Sequence, residues 1–308
     1  MKITTLTLNP AFDLHCYADA FLPQRETLFE ITARDAGGKG VNVSRALKAN
    51  GVENAAVCIV GSENGEEFLA SLRAEGLAVR AVKAAGRIRE NITLHEKEKA
   101  ETRISFKGFA ADEGLLAEVL DAFGDLGEGS TVVFAGSAPE GLTEAALVAF
   151  LKRIKDTGAS LAIDSRALSL SSILSLRPML IKPNKDEAEA ALGVTLQSIE
   201  DAREAAEALH KKGVENVLLS LGGEGAILCA DSGIYYAPCP EVAVLSTVGA
   251  GDSTVAGFLS AKAEGLSDAK ALARAVAFGS AACMLAGTAA PRREDVAALI
   301  EKIEVQRL

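Results

Sequence analysis

Short apolar segments of β-forming residues alternate with helical segments along most of this chain of 308 residues. Several of the segments in both classes end at or beside a glycine, which stops helices and strands alike. Short buried strands separated by helices are typical of a parallel sheet that helices cover on both faces. The sequence therefore predicts an α/β fold. We predict strands at residues 3–8, 55–60, 132–135, 161–163, 179–182 and 217–221 and helices at residues 41–50, 65–75, 143–156 and 199–212.

Two stretches interrupt this alternation, at about residues 11–35 and about residues 88–107. Polar and apolar residues alternate in the second stretch, which indicates extended strands. The charged run at residues 96–99 is typical of a solvated hairpin tip. No linker, repeat or low-complexity segment divides the chain. We therefore predict one α/β domain over residues 1–308, with the two stretches forming a small antiparallel β-sheet lid on it.

The composition restricts the partners of the chain. Its net charge of −10 and isoelectric point near 5.0 argue against general nucleic-acid binding, which needs a basic surface. The five cysteines form no CxxC pair, which favours reduced thiols over a zinc site or a disulfide framework. The first residues predict a strand rather than a signal peptide, and the least polar run, residues 275–290, is too short and glycine-broken to span a membrane. We expect a cytoplasmic protein that binds neither nucleic acid nor membrane.

The most informative motif is Thr-Val-Gly-Ala-Gly-Asp-Ser at residues 247–253. It lies between an apolar stretch at residues 242–245 and an apolar run that begins at Val255, which predicts a strand or turn leading into a helix. Glycine permits close approach of a ligand, and the free N–H groups of a helix N-terminus bind phosphate. Asp252 would repel such a ligand, but it could deprotonate a hydroxyl that attacks the phosphate. The alternative is a glycine turn in which Asp252 caps the helix.

A second glycine motif, Gly-Gly-Lys-Gly-Val-Asn-Val-Ser, occupies residues 37–44 at the start of a predicted helix. Its first glycines, Gly37 and Gly38, permit close backbone approach. Lys39 adds a cation, and Asn42 lies about one turn into the helix. The spacing differs from that of a Walker A loop. A ligand-binding turn and a structural turn are both compatible with these residues.

A third motif, Lys-Pro-Asn-Lys-Asp-Glu, occupies residues 182–187. Pro183 stiffens the exit from a predicted strand, and Asn184 and Glu187 share one face if a helix starts here. An amide and a carboxylate on one face suit a hydrated Mg²⁺ near phosphates. The alternative is a helix N-terminus with an acidic first turn.

Two further segments follow predicted strands. Residues 220–226, Ser-Leu-Gly-Gly-Glu-Gly-Ala, could form the wall of a nucleotide site or only a hairpin turn. Residues 9–13, Asn-Pro-Ala-Phe-Asp, place Asp13 after the first strand. Asp13 could bind sugar hydroxyls there, or it could belong only to a turn.

Taken in order, these motifs resemble those of the PfkB (ribokinase-like) carbohydrate kinases. The resemblance rests on residues 9–13, 37–44, 136–141, 182–187, 220–226 and 247–253 and extends from residue 1 to about residue 305. It is strongest to the branch that contains 1-phosphofructokinases and tagatose-6-phosphate kinases. It implies a ribokinase-like parallel-sheet sandwich with a small β-sheet lid, ATP as phosphate donor and Mg²⁺ as cofactor.

The same resemblance implies roles for individual residues. It implies that Asp252 is the catalytic base and that the backbone of Gly249, Ala250 and Gly251 forms an anion hole. The residues implied to bind the acceptor are Asp13, Gly37, Gly38, Lys39, Asn42 and Ser137. The residues implied to bind the nucleotide are Lys182, Asn184, Ser220, Gly222, Gly225 and Thr247, with Asn184 and Glu187 supporting the metal.

Arg89 and Arg103 lie in the lid, where related sugar-phosphate kinases carry arginines. A guanidinium suits a phosphate through bidentate hydrogen bonds, although arginines on an edge hairpin are also common surface residues. The resemblance implies ATP-dependent phosphorylation of a sugar phosphate, fructose 1-phosphate to fructose 1,6-bisphosphate. The alternative acceptors are tagatose 6-phosphate and an unphosphorylated sugar.

Two other classes of protein fit less well. A nucleotide-binding oxidoreductase would carry GxGxxG after the first strand, where this chain has none. A catalytically silent sugar-binding regulator would have no use for Asp252. We further expect a homodimer through the lid, because hairpins that stand off a domain expose apolar faces and strand edges that a two-fold partner can cover.

Overall fold

The computed structural model describes residues 1–97 and 101–308. Its strands are β1 (Lys2–Thr7), β2 (Ala11–Ala18), β3 (Glu30–Gly37), β4 (Asn54–Gly61), β5 (Val79–Ala84), β6 (Arg89–Glu96), β7 (Thr102–Ile104), β8 (Ser130–Ala135), β9 (Ser160–Asp164), β10 (Leu180–Ile181), β11 (Asn216–Ser220), β12 (Ala226–Ala230), β13 (Gly233–Ala237) and β14 (Gln306–Arg307). Its helices are α1 (Lys39–Ala49), α2 (Gly65–Ala74), α3 (Glu113–Ala122), α4 (Glu144–Asp156), α5 (Leu170–Ser175), α6 (Lys185–Leu192), α7 (Ile199–His210), α8 (Ala250–Ala263), α9 (Asp268–Cys283) and α10 (Arg293–Ile300).

The large sheet is predominantly parallel. Within the described residues its strand order is β14-β13-β12-β11-β10-β9-β8-β1-β4-β5. Neighbouring strands are parallel from β5 through β11 and antiparallel from β11 through β14. The chain therefore builds outwards from β1 in both directions, first through β4 and β5 and later through β8. The carboxyl ends of β1 and β8 form a topological switch point, where sheets of this kind bind ligands.

Helices cover both faces of this sheet, as the sequence predicts. Val132 and Phe134 of β8 pack into a core that α2, α3 and α4 complete, whereas Val133 and Ala135 pack into a core with α1, α8 and α9. This division follows from the strand, whose successive side chains point to opposite faces. In α8 every residue from Asp252 to Ala261 is buried. The N-terminus of this helix is thereby fixed against the rest of the molecule.

The lid is a separate sheet with the strand order β3-β2-β6-β7 among the described residues. The outer pairs are antiparallel, but the central strands β2 and β6 are parallel along their whole length. The prediction of an antiparallel lid is therefore wrong for its central pair. The chain between these strands passes through the large sheet, which provides the long crossover that a parallel pair requires. The predicted hairpin tip includes Glu98 and Lys99, which lie outside the described residues.

The predicted strands and helices of the large sheet are confirmed, with ends that differ by at most two residues. Residues 242–245 belong to neither a strand nor a helix, so the turn alternative is the right one for the approach to α8. In the described part of the chain, we find no helix with the length and apolar character needed to cross a membrane.

Candidate active site

A cleft of about 620 Å³ lies between the lid and the switch point of the large sheet. It brings together predicted residues from every motif of the sequence. The predicted residues that line it are Asp13, Gly38, Lys39, Asn42, Arg89, Arg103, Ser137, Lys182, Asn184, Ser220, Thr247, Gly249, Gly251 and Asp252. Gly37, Ala250, Glu187, Gly222 and Gly225 are not part of its lining. The convergence of residues that are far apart in the sequence makes this cleft the candidate active site.

Helix α8 presents its N-terminus to the cleft. Gly249 precedes the helix with a φ of 77°, a conformation that residues with a Cβ rarely adopt. The first N–H groups of the helix have no helical partners and are suited to bind an anion. Asp252 lies in this first turn, but the N-cap is Gly249, and the carboxylate instead accepts a hydrogen bond of 2.9 Å from Asn42 Nδ2. Capping therefore does not account for Asp252.

The surroundings of Asp252 shift its titration to neutral pH. Its side chain is 5% exposed. Burial and the neighbouring Asp164 raise the pKa of Asp252 to about 7, against the opposing influence of Lys39, Asn42 and Lys182. A carboxylate with this pKa is suited to accept a proton near pH 7.

The kinase activity that the sequence motifs imply should have a kcat/KM that depends on pH through this group. Because ionised Asp252 is the form that accepts a proton, the rate should fall about tenfold per pH unit below a pKa of about 7 and level off above it. A pH–rate profile from about pH 5 to pH 9 checks this expectation. A flat profile would show that no group titrating near neutrality takes part.

Two lysines and Asp164 form a charge cluster beside the N-terminus of α8, in which Lys182 and Asp164 are buried and Lys39 is partly exposed. Lys39 Nζ lies 3.1 and 3.2 Å from the two oxygens of Asp164, and Lys182 Nζ lies 3.9 Å from Oδ2. A Cβ at Gly251 would lie 3.2 Å from Lys182 Nζ, so the glycine lets the ammonium approach the helix. Burial alone lowers the pKa of Lys39, but Asp164 and Asp252 outweigh it, and the net pKa is raised. Charged lysines at a helix N-terminus suit the phosphates of a nucleotide.

Polar side chains of the lid face the cleft from the other side. Asn91 Nδ2 donates a hydrogen bond of 3.0 Å to Asp13 Oδ1. A Cβ at Gly37 would collide with Asp13 Oδ2, so this glycine leaves room for the carboxylate. Oδ1 of Asn91 and Oδ1 of Asn9 are buried and have no hydrogen-bond partner in the described structure. Such oxygens are suited to accept hydrogen bonds from sugar hydroxyls. Neither Asn9 nor Asn91 was predicted as a site residue from the sequence.

Arg89 is held at the base of the lid by neutral oxygens. Its nitrogens donate hydrogen bonds of 3.3–3.4 Å to the carbonyl oxygens of Asn9, Pro10 and Phe106 and to Ser137 Oγ. Burial lowers the pKa of Arg89, with Asp13 opposing. Among the described residues its guanidinium forms no ion pair, so it can accept an anionic partner from outside the protein. Arg103 lines the same cleft from the exposed strand β7.

Asn184 and Glu187 form a capping box at the start of α6. Asn184 Oδ1 accepts a hydrogen bond from Glu187 N at 2.8 Å, and Glu187 Oε2 accepts one from Asn184 N at 3.0 Å. The other oxygen of Glu187 pairs with Arg166 Nε at 2.9 Å. Burial alone raises the pKa of Glu187, but the Asn184 N–H and Arg166 outweigh it, and the net pKa is lowered. The helix-terminus alternative therefore accounts for the local contacts of both residues.

These contacts restrict how Mg²⁺ could be held here. Both oxygens of Glu187 already have partners, and no group of three or more His, Cys, Asp or Glu side chains suited to a metal exists among the described residues. Mg²⁺ commonly keeps several waters and binds to substrate phosphates. The donor set therefore fits an ion that arrives with a nucleotide and reaches Asn184 and Glu187 through water.

Residues 220–226 form the hairpin that joins β11 to β12. Ser220 lines the cleft, and Gly222–Glu224 is a short 3₁₀ turn. Gly225 has a φ of 114°, and a Cβ there would collide with the carbonyl of Ala237. The hairpin alternative thus accounts for Gly225, and the nucleotide contacts of Gly222 and Gly225 stay predictions.

A helix N-terminus suited to bind phosphate, a buried carboxylate with a pKa near neutrality and amide oxygens without hydrogen-bond partners meet at one cleft. Together they define a kinase that transfers a phosphoryl group to an alcohol. The sequence comparison agrees with this class, because residues 8–295 match the pfkB family of carbohydrate kinases. The chain belongs to the pfkB family and is a sugar kinase.

Several relatives are similar over nearly the whole chain. The 1-phosphofructokinase of Escherichia coli (strain K12) is 32% identical over 306 residues, which cover 99% of this chain and 98% of that protein. The 1-phosphofructokinase of Bacillus subtilis (strain 168) is 32% identical over 308 residues, covering 99% and 100%. The crystal structure of phosphofructokinase-2 from Escherichia coli with substrates and products superposes with a TM-score of 0.93 at 28% identity, covering 98% and 99%. The predicted ribokinase-like fold is thereby confirmed.

Proposed function

We propose that the protein transfers the γ-phosphate of ATP to fructose 1-phosphate and produces fructose 1,6-bisphosphate. The relatives named 1-phosphofructokinase support this acceptor. The observation that carries the proposal is the half-buried guanidinium of Arg89, which has only neutral hydrogen-bond partners among the described residues. A phosphate on the acceptor would neutralise this cation, whereas a free sugar would leave it unpaired.

Asp252 serves as the base in this reaction. It takes the proton of the acceptor hydroxyl while the oxygen attacks the γ-phosphate of ATP. The N–H groups at the start of α8, from Gly249 to Gly251, and the ammonium of Lys182 stabilise the charge on the phosphoryl group as it moves. Asp252 lines the cleft, where a bound acceptor can place its hydroxyl against the carboxylate.

The identity of the product tests the proposal. The ³¹P NMR spectrum of enzyme incubated with ATP and fructose 1-phosphate should show ADP together with the two phosphomonoester signals of fructose 1,6-bisphosphate. Consumption of tagatose 6-phosphate or free fructose, with fructose 1-phosphate left unchanged, would overturn the acceptor while keeping the kinase.

Mg²⁺ accompanies ATP in this proposal and would be held by the nucleotide phosphates and, through water, by Asn184 and Glu187. The ion would supply positive charge between the transferring phosphates. Glu187→Gln should raise the Mg²⁺ concentration that gives half-maximal rate several-fold, because the negative charge near the ion is lost. Titration of the rate with Mg²⁺ at fixed ATP measures this change.

Glu189→Gln is the matched control for this variant. Glu189 lies on the same helix but accepts a hydrogen bond from Leu196 N outside the cleft. The Glu189→Gln variant should reach half-maximal rate at the same Mg²⁺ concentration as the wild type. An unchanged Mg²⁺ dependence in Glu187→Gln as well would reduce Glu187 to the capping role that its contacts already explain.

We also propose that the lid forms the contact of a homodimer. The lid carries a group of exposed apolar side chains, namely Tyr17, Leu22, Leu28, Ile31, Ile104 and Phe106. The exposed fraction is 86% for Leu28 and 60% for Ile31. Exposed apolar side chains on a small sheet and its loops are typical of a covered surface, and a two-fold partner covers such a region with the same surface.

Leu28→Asp and Ile31→Asp should each convert the protein to a monomer, because a buried carboxylate at an apolar interface has no partner. Light scattering coupled to size-exclusion chromatography measures the mass. Val194→Asp is the control, since Val194 is 46% exposed but lies outside the lid. A wild-type protein that is monomeric and fully active at assay concentration would contradict the dimer.

A further inference from the structure

The proposed base is linked through Asn42 to an ion pair that lies outside the catalytic cleft. Asn42 Nδ2 donates a hydrogen bond of 2.9 Å to Asp252 Oδ2, and Asn42 Oδ1 accepts one of 3.4 Å from Arg45 Nη1. Arg45 follows Asn42 by three residues, so both lie on one face of the helix. We propose that Arg45 is a positioning residue, which orients the amide of Asn42 and thereby holds Asp252 ready to accept a proton. This inference rests on the proposed role of Asp252 as base.

The charges on either side of Asn42 decide which way its amide points. The oxygen and nitrogen ends of an amide have nearly the same shape, so packing alone does not distinguish them. A guanidinium only donates hydrogen bonds, and an ionised carboxylate only accepts them. In the observed orientation Arg45 and Asp252 both have a suitable partner. The reversed amide would place N–H against the guanidinium and oxygen against the carboxylate, and both contacts would be repulsive.

Glu75 fixes the orientation of the Arg45 guanidinium, which donates the hydrogen bond to Asn42 Oδ1. Arg45 Nε and Nη2 donate to the two oxygens of the Glu75 carboxylate, with a distance of 2.7 Å between Nη2 and Oε1. The exposed fraction is 9% for the Arg45 side chain and 41% for that of Glu75. A bidentate pair of this kind fixes the orientation of a guanidinium.

Arg45 and Glu75 act from outside the catalytic cleft. Neither residue is part of the lining of the cleft. Both line a separate pocket of about 370 Å³, which Lys48 also lines. Their influence on the reaction therefore has to pass through Asn42, and substrates have no direct contact to lose when Arg45 is replaced.

Loss of Arg45 should make Asp252 harder to ionise. Without the cation, the Asn42 amide can turn over, and each turned amide removes the donor from Asp252 and presents an oxygen to it. A carboxylate in that environment titrates at higher pH. We expect the acid limb of the kcat profile to move up by about one pH unit, so that kcat falls about tenfold on this limb and stays near the wild-type value at high pH. The KM for ATP should not change.

The test is the pH profile of kcat for the full-length Arg45→Met enzyme. Met is chosen because it retains an unbranched apolar side chain but has no hydrogen-bond donor. Lys48→Met is the matched control, because Lys48 lies on the same helix and lines the same pocket. Its profile should be that of the wild type. Ethylguanidinium, supplied through the pocket at a concentration too low to unfold the protein, should move the acid limb of Arg45→Ala back, because that variant leaves room for the ethyl group. In an Asn42→Ala background, Arg45→Met should cause no further shift.

An acid limb that does not move in folded Arg45→Met, or an equal loss of kcat at every pH, overturns the proposal. If Arg45→Met does not fold, Glu75→Gln decides, because it loosens the hold on Arg45 and should move the limb in the same direction by less. An unmoved limb in that variant overturns the proposal too. Asp252→Asn tests the base separately: an active variant overturns the base assignment, whereas an inactive one with an unmoved Arg45→Met limb overturns this inference alone.

Discussion

Asp252→Asn should lower kcat by about 10²–10⁴-fold while the protein stays folded and binds ATP. Asparagine has nearly the shape of aspartate, so the buried start of α8 keeps its packing. Its amide cannot take the proton of the attacking hydroxyl, and the acceptor would have to attack as a neutral alcohol. The variant also removes a negative charge beside the phosphates, so ATP binding should be retained or slightly stronger.

The loss is measured by an assay coupled to ADP release, with ATP affinity from calorimetry and thermal unfolding as the test of fold. Asp186→Asn is the matched control, because Asp186 lies in the first turn of another helix and outside the lining of the cleft. That variant should turn over at the wild-type rate. Turnover near the wild-type rate in Asp252→Asn would contradict the proposed mechanism.

Arg89→Ala should raise the KM for fructose 1-phosphate by about 10- to 100-fold, since a charge-assisted hydrogen bond to the acceptor phosphate contributes about 1.5–3 kcal/mol. The KM for free fructose should change little, because that sugar has no phosphate to lose contact with. Arg103→Ala should have a smaller, few-fold effect on the same KM, since β7 is exposed and water screens its charges.

Arg87→Ala is the matched control for both arginines. Arg87 precedes β6, makes an exposed ion pair with Glu63 and lies outside the lining of the cleft. Its replacement should leave every KM unchanged. If Arg89→Ala raised the KM for fructose and the KM for fructose 1-phosphate to the same extent, the effect would reflect the loss of the carbonyl contacts of Arg89 rather than the loss of a phosphate site.

The large sheet was predictable from the sequence because its physical signals are local. The central strand β1 and its parallel neighbours are short and apolar, and glycines stop several of the elements that follow them. The glycine turn before α8 was also predictable, since Gly249 adopts a conformation that favours glycine. Because ligands of parallel sheets bind at the carboxyl ends of strands, the motifs after β1, β10 and β11 were expected to meet, and they do.

Features that depend on contacts between distant residues were not predictable in this way. The parallel pairing of β2 with β6 depends on where the chain re-enters the lid, which no local pattern encodes. Asp164 was not predicted as a site residue, because its place in the site comes from lysines on two other elements. Asn9 precedes Asp13 closely in the sequence, but Asn91 is 78 residues from Asp13 and meets it only in the fold. The capping box at Asn184 was foreseen only as an alternative to a metal site, since both uses need an amide and a carboxylate three residues apart.

The ratio of kcat/KM for fructose 1-phosphate to that for free fructose tests the central claim most directly. Both acceptors, with tagatose 6-phosphate alongside, are measured with saturating ATP and Mg²⁺ in one coupled assay. We predict that fructose 1-phosphate is preferred over fructose by about 100-fold or more, because the free sugar leaves the half-buried Arg89 cation without an anion. Phosphorylation of free fructose with equal or greater efficiency would contradict the phosphosugar assignment and leave only the class of sugar kinase.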